Sequence, residues 1–280
     1  MILTYVQAAV LGLLQGVTEL FPVSSLGHSV LLPHLLGWNV DLSSPQFVAF
    51  VVATHLATAL VLFVFFWNDW MKIIGGIFRS LFRLKLREGD TYARLGWLLV
   101  ASTVPAGILG LLLQKKIEGL FDSAMLVAGA LILNGIVLFA AEYLRKRAQE
   151  GAADDGKLAG LSWTQAVIIG LAQCFALIPG FSRTGLTMTG GLVSGLSHEN
   201  AARYAFLLAT PIIAAASILK VPSVLHGGML GQSLVGALCA ALAAYVSVRF
   251  LTRYFETRTL TPFAYYCVAA GITSLLLFTL

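Results

Sequence analysis

Charge is what this 280-residue chain has least of: Lys, Arg, Asp and Glu together make up 11% of it, against roughly 25% in a soluble domain. Hydrophobic residues make up 58%, which excludes an ordinary soluble enzyme and leaves a polytopic membrane protein. Acidic residues are the scarcer charge, 13 against 18 Lys and Arg, for a formal net charge of +5. Basic residues beside membrane spans act as topology signals, so no nucleic-acid partner is expected. The three cysteines, Cys174, Cys239 and Cys267, lie in apolar stretches where a thiol behaves as a small hydrophobe, which excludes a disulfide framework. There is no His-Glu-x-x-His, no paired cysteine and no carboxylate cluster, so zinc is not expected. The N-terminus lacks the basic region and small-residue cleavage site of a secretory signal. Residues 1–20 are therefore expected to belong to the mature fold.

Segments of about 20 mostly apolar residues cross a bilayer as helices. Six fit: Gln46–Trp67, Leu95–Leu113, Ala124–Leu144, Arg203–Leu219, Leu230–Phe250 and Pro262–Leu280. Residues 1–37 and 161–196 are also apolar, but Pro, Gly and clustered hydroxyls interrupt each near its middle. Each reads as a short helix, a break and a second short helix, and broken helices persist at membrane depth only where protein or a watery cavity satisfies the backbone. Both are expected to be re-entrant helical hairpins. Three spans separate them, so the second enters from the opposite face. The basic residues agree. Lys72, Arg79, Arg83, Lys85, Arg87, Arg94, Arg145, Lys146, Arg147, Lys157, Arg203, Arg249, Arg253 and Arg258 fall on one side, the cytoplasmic one. Lys115, Lys116 and Lys220 fall on the other, with Arg183 within the membrane. The expected architecture is one all-α membrane domain over 1–280 with an inverted-topology repeat. Repeat 1 covers about 1–147 and repeat 2 about 161–280, the type whose broken helices meet at the midplane to form the site.

The repeat is legible residue by residue. At an offset of 158 (7 to 165), Gln7/Gln165, Ala8/Ala166, Gly12/Gly170, Leu13/Leu171, Gln15/Gln173, Ser24/Ser182 and Gly27/Gly185 are identical without a gap. The copies differ in chemistry: Glu19, Ser25 and His28 in one, Arg183, Thr184 and Thr187 in the other. Gln15 and Glu19 share a helical face. Ser24 or Ser25, and Ser182, are placed to N-cap the second short helices, and two helix N-termini aimed at one cavity make an anion site. Arg183 adds a planar cation able to grip phosphate through paired hydrogen bonds. Charges inside apolar segments are costly and usually functional or paired, so the competing reading of Glu19 and Arg183 is a structural ion pair. Gln15 and Gln173 taken singly read as interhelical hydrogen bonders, and His55, mid-span without a motif, as structural. His34, His198 and His226 near loop ends carry no signal. Mg²⁺ needs only one or two protein carboxylates when substrate phosphates supply the remaining oxygens, so Glu19 reads either as a metal ligand or as a base.

At these residues the chain resembles the undecaprenyl-diphosphate phosphatase, or bacitracin-resistance, family. Gln15-Gly16-Val17-Thr18-Glu19 is similar to its Glu/Gln-x-x-x-Glu element, and Pro22-Val23-Ser24-Ser25-Leu26-Gly27-His28 to its Pro-Val-Ser-Ser-Thr-Gly-His element. Pro179-Gly180-Phe181-Ser182-Arg183-Thr184-Gly185-Leu186-Thr187 is similar to its Pro-Gly-x-Ser-Arg-Ser-Gly-x-Thr element. Departures are Gln15, which cannot be a second anionic ligand, Leu26, which removes a hydroxyl, and Thr184 in place of Ser. The resemblance implies hydrolysis of undecaprenyl diphosphate to undecaprenyl phosphate and inorganic phosphate in the bacterial plasma (inner) membrane. It further implies a site toward the periplasmic or outer side, a divalent cation (Mg²⁺, with Ca²⁺ as the alternative) and bacitracin resistance.

On that reading Glu19, Ser25, His28 and Arg183 are catalytic. Ser25 is the nucleophile activated by His28, and Glu19 binds the metal or orients His28; activated water and a phosphohistidine at His28 are the competing routes. Ser24, Ser182, Arg183, Thr184 and Thr187 hold phosphate, with Gln15, Gly27 and Gly185 in support. Membrane lipid is the other partner. Gly190-Gly191 and Gly195 permit close helix packing within the chain or in a homodimer. A polyprenyl-phosphate flippase is the rival function, since broken-helix repeats also serve alternating access.

Overall fold

A computed structural model describes residues 3–42, 44–87, 89–149, 158–218 and 228–279. Met1, Ile2, Lys157, Leu219, Lys220, His226 and Leu280, invoked above, lie outside the described residues, as do the side chains of Lys115, Lys116 and Arg147. The described chain is helical: α1 (Tyr5–Thr18), α2 (Ser25–Leu35), α3 (Pro45–Phe65), α4 (Trp67–Arg83), α5 (Thr91–Glu118), α6 (Ala124–Gln149), α7 (Trp163–Cys174), α8 (Arg183–Val193), α9 (His198–Ile218), α10 (Leu230–Thr257) and α11 (Thr261–Thr279). Six of them, α3, α5, α6, α9, α10 and α11, are long and apolar enough to cross a bilayer. They coincide with the six expected spans. Large apolar side chains such as Leu112, Leu238, Leu242 and Leu276 remain exposed on the outside of the bundle, a surface suited to lipid and not to water.

The helices of the second half restate the first. At the same offset, α7 begins where α1 does and α8 spans the positions of α2; α3 and α9 each have 21 residues, α5 and α10 each 28. The identical residues have matching work. Gln7 and Gln165 each close a capping box, Gln7 with Thr4 and Gln165 with Ser162. Two orphan donors at each helix start are thereby satisfied. A Cβ on Gly12 would lie 2.3 Å from the Gly236 carbonyl oxygen, and one on Gly170 2.5 Å from that of Ser102. Each glycine therefore lets its short helix lie directly on the long helix of the other half, α1 on α10 and α7 on α5. The two halves are interlocked.

α4 departs from the sequence reading, which treats its basic residues as loop. It is a helix with Trp70, Ile73, Gly76 and Ser80 on its buried face and Lys72, Arg79, Phe82 and Arg83 away from it, an amphipathic pattern too charged to span. The end of the bundle assigned to the basic residues is also where halves are pinned. Arg203 of α9 meets Asp69 of α4 at 2.6 Å, and Arg94 donates to the carbonyls of Ala159 and Leu161 at 2.8 and 3.0 Å. Glu142 of α6 accepts from the Leu260 amide at 2.6 Å and meets His198 of α9 at 2.7 Å. Gly190 and Gly191 are used inside the chain, a Cβ on either meeting Ile169 or Ala201 at 3.1 Å. Those two glycines are therefore spent on internal packing, whereas a Cβ on Gly195 would meet nothing within 4 Å.

Candidate active site

The two breaks meet. Residues 19–24 join α1 to α2 and residues 175–182 join α7 to α8, and each break lies against the start of the other's second helix. A Cβ on Gly27 would stand 3.1 Å from Gly180, and one on Gly185 3.3 Å from Pro22. Gly180 itself has φ +106° with the Val127 carbonyl 2.4 Å from where a Cβ would sit, so only glycine makes this turn. Asn134, fully buried on α6, staples the pair: its Nδ2 donates to the Pro22 carbonyl at 3.1 Å and its Oδ1 accepts from the Ser182 amide at 2.9 Å. Ser24 and Ser182 are the N-caps, their hydroxyls accepting from Gly27 and Gly185 at 3.1 Å each. Ser24 holds φ +70°, a conformation that costs a non-glycine residue about 1–3 kcal/mol and clusters at functional sites.

Glu19, the C-cap of α1, is the hub. Its Oε2 accepts from Ser25 Oγ at 2.5 Å and from Gln15 Nε2 at 2.9 Å, and faces His55 Nε2 at 3.2 Å. Its Oε1 pairs with Arg183 Nη2, and its backbone carbonyl accepts from Thr184 Oγ1 at 2.9 Å. One carboxylate thus joins α1, α2, α3 and α8. The group borders a cavity of about 470 Å³ that Glu19, Ser25, Leu26, His55, Gln173, Ser182 and Arg183 share with apolar residues of α3, α5 and α9. Arg183 uses one nitrogen on Glu19 among five donors, which leaves N–H groups for a second anion in the cavity.

The structure brings some of the expected site residues to the cavity and not others. His28 does not reach Ser25: its Nδ1 lies 2.6 Å from the Ser24 carbonyl and its Nε2 2.7 Å from Tyr266 Oη, with the rings stacked 5.7 Å apart. These partners satisfy a neutral imidazole, Nδ1–H donating and Nε2 accepting from the phenol. The histidine at the serine–glutamate pair is His55, read as structural from sequence. Thr184 and Thr187 do not line the cavity; Thr187 donates to the carbonyls of Arg183 and Thr184 at 2.8 and 3.1 Å, a back-bond within α8, and Thr184 is spent on the Glu19 backbone. Ser24 is likewise a cap, leaving Ser182 and Arg183 as the members of the expected phosphate set that face the cavity. Glu19, expected as a metal ligand, has both carboxylate oxygens facing protein groups, Ser25, Gln15 and His55 on Oε2 and Arg183 on Oε1. Among the described residues it is the one acidic side chain lining the cavity, and none of them form a cluster of three His, Cys, Asp or Glu suited to a metal.

Asn134 and His55 escaped the sequence reading for the same reason. A single polar residue in an apolar span has no local pattern, and only packing brings it to a partner more than 30 positions away. His55 stands 36 residues from Glu19 (19 to 55).

Comparison with known proteins points the same way. The family described as "Bacitracin resistance protein BacA" matches residues 8–273. The protein named undecaprenyl-diphosphatase in Mycolicibacterium paratuberculosis is 49% identical, over 98% of this chain and 97% of its own length. Undecaprenyl-diphosphatase 2 of Frankia alni is 42% identical over 96% of each chain, and undecaprenyl-diphosphatase 2 of Burkholderia orbicola 48% identical over 94% and 92%.

Proposed function

The chain belongs to the bacitracin resistance protein family, and from that premise we propose that it hydrolyses undecaprenyl diphosphate to undecaprenyl phosphate and inorganic phosphate. The observation that carries the reading is the cavity's mixed lining: serine, carboxylate and guanidinium are held together in one bonded group, and most of the remaining wall from α3, α5 and α9 is apolar. Such a space suits a molecule with a diphosphate head and a hydrocarbon tail. Product recycling returns the lipid carrier to cell-wall synthesis, and an abundant enzyme would confer bacitracin resistance.

Ser25 is the nucleophile. Its hydroxyl already donates to Glu19, so as Oγ attacks the terminal phosphorus its proton passes to Oε2. The bond from that phosphorus to the bridging oxygen breaks, and undecaprenyl phosphate leaves with the electron pair. Arg183 and the N-termini of α2 and α8, where Ser25, Leu26, Ser182 and Arg183 face the cavity, stabilise charge on the phosphoryl oxygens. The proton on Oε2 goes to the departing undecaprenyl phosphate, so Glu19 is again a carboxylate when water attacks the phosphoserine; it takes the water's proton and passes it to Ser25 Oγ as the phosphorus–Oγ bond breaks, which frees phosphate and restores Ser25. Glu19 serves as base in both steps, and His55 with Gln15 holds its carboxylate toward Ser25. Any Mg²⁺ or Ca²⁺ would enter with the diphosphate and offset the charge of its oxygens.

The site opens outward on this reading. Its walls are the second halves of α5 and α9 and the first half of α3, remote from the end where Arg94, Arg203 and Asp69 gather, so a cytoplasmic basic end puts the head group on the periplasmic side of the plasma membrane. Purified protein in detergent should release phosphate from undecaprenyl diphosphate, and Arg183→Ala should abolish it. Detergent leaves no two sides to transport across, so absence of release would favour the flippase reading instead.

A further inference from the structure

One polar side chain in the cavity has no work in that mechanism. Gln173, near the end of α7, is 2% exposed, lines the cavity, and has no hydrogen-bond partner for either Oε1 or Nε2. A buried amide left unpaired at both ends is costly, and such groups in folded proteins call for an explanation. The repeat supplies one. Its counterpart Gln15 donates to Glu19, four residues on. In the second half the residue four on from Gln173 is Leu177, which has no acceptor to offer and itself lines the cavity. Gln173 therefore keeps the position and depth of Gln15 without its carboxylate. Its free donor shares the cavity with Arg183 and Ser25.

We propose that Gln173 is a substrate-contacting residue, its Nε2–H donating to a non-bridging oxygen of the lipid diphosphate. This rests on the reading of the cavity as a diphosphate site. A neutral donor is suited to the role, because it adds a hydrogen bond to the anion without a second fixed cation to retard release of the phosphate product. The bond also satisfies the donor end of the amide, so ligand binding relieves one of its two unpaired buried atoms.

The two consequences have opposite signs, which makes the test specific. Phosphate release from undecaprenyl diphosphate and the melting temperature in detergent are measured for the wild type, Gln173→Leu, Gln173→Met and Gln173→Glu. Leu and Met remove an unpaired amide, so melting temperature should hold or rise while kcat/KM falls about 10- to 100-fold, the range for a lost hydrogen bond to a charged group. Gln173→Glu keeps the shape but turns an anion toward the diphosphate, and its kcat/KM should fall below that of the Leu variant. An interhelical hydrogen bonder would instead lose melting temperature in both apolar variants. Apolar variants within twofold of the wild type in kcat/KM, or a Glu variant as active as the wild type, overturn the assignment and leave the function standing. A wild type that releases no phosphate overturns both.

Discussion

Replacing Glu19 by Gln tests the centre of the mechanism, because it preserves the side chain's shape while removing its capacity to take a proton. At 2.5 Å the Ser25 hydroxyl is positioned for direct transfer, and a positioned general base contributes about 10²- to 10⁴-fold. Glu19→Gln should therefore lower kcat about 10³-fold, equivalent to about 4 kcal/mol of barrier. Ser25→Ala should fall by a similar factor. Since the two residues perform one step, the double variant should be no slower than either single one, the behaviour of groups that act as a unit. The assay is phosphate release in detergent, paired with a trap for phosphoserine, which should not accumulate in Glu19→Gln. Stability must be followed in parallel, because the variant strands Arg183 beside a neutral amide, and breaking a buried ion pair from one side costs about 3–5 kcal/mol. Arg183→Gln in the Glu19→Gln background should recover part of the melting temperature and none of the activity. More than a tenth of the wild-type rate in Glu19→Gln, or a double variant slower by the product of the single losses, would refute the shared role.

Other perturbations address the neighbours. His55→Gln, whose amide can offer an N–H to Glu19, should keep kcat within about tenfold, whereas His55→Leu, which leaves that face of the carboxylate without a polar neighbour, should lose more, on the scale of the ~1.5–3 kcal/mol of a hydrogen bond to a charged group; steady-state kinetics separate them. Mn²⁺ titration of the substrate-free protein, followed by electron paramagnetic resonance, should show no binding that Glu19→Gln removes, while Gln15→Glu, by placing a second carboxylate beside the first, should create it. Gly12→Ala forces a Cβ onto the Gly236 carbonyl and should lower the melting temperature or abolish folding, whereas Gly129→Ala, which meets nothing within 4 Å, should be neutral or gain up to about 1 kcal/mol from helix propensity.

The spans, the breaks and the caps were legible because each has a local cause: apolar length, Pro and Gly at a turn, Ser at a helix start. Glu19 and Arg183 were legible because charge in an apolar segment demands a partner, and they are each other's. What the sequence could not reveal is which way a polar side chain turns once packed. His28 sits in the most recognisable motif of the chain, yet Tyr266, 238 residues away, holds it away from Ser25. His55 has no motif and reaches the carboxylate because α3 passes the end of α1. α4 carries a local signal, since Trp70, Ile73, Gly76 and Ser80 recur at helical spacing, but the charged residues between them lower its hydropathy below that of a span.

The reciprocal seating of α1 on α10 and α7 on α5 has a consequence for biosynthesis. A ribosome delivers Glu19 and Ser25 among the first residues, but the groove that receives their helix emerges only after more than two hundred others. Long-range pairings of this kind form late, so the nascent chain carries a carboxylate into the bilayer well before Arg183 arrives to neutralise it. Hydrolytic competence is then a property of the finished polypeptide, and neither half made alone would have a place to dock its own opening helix.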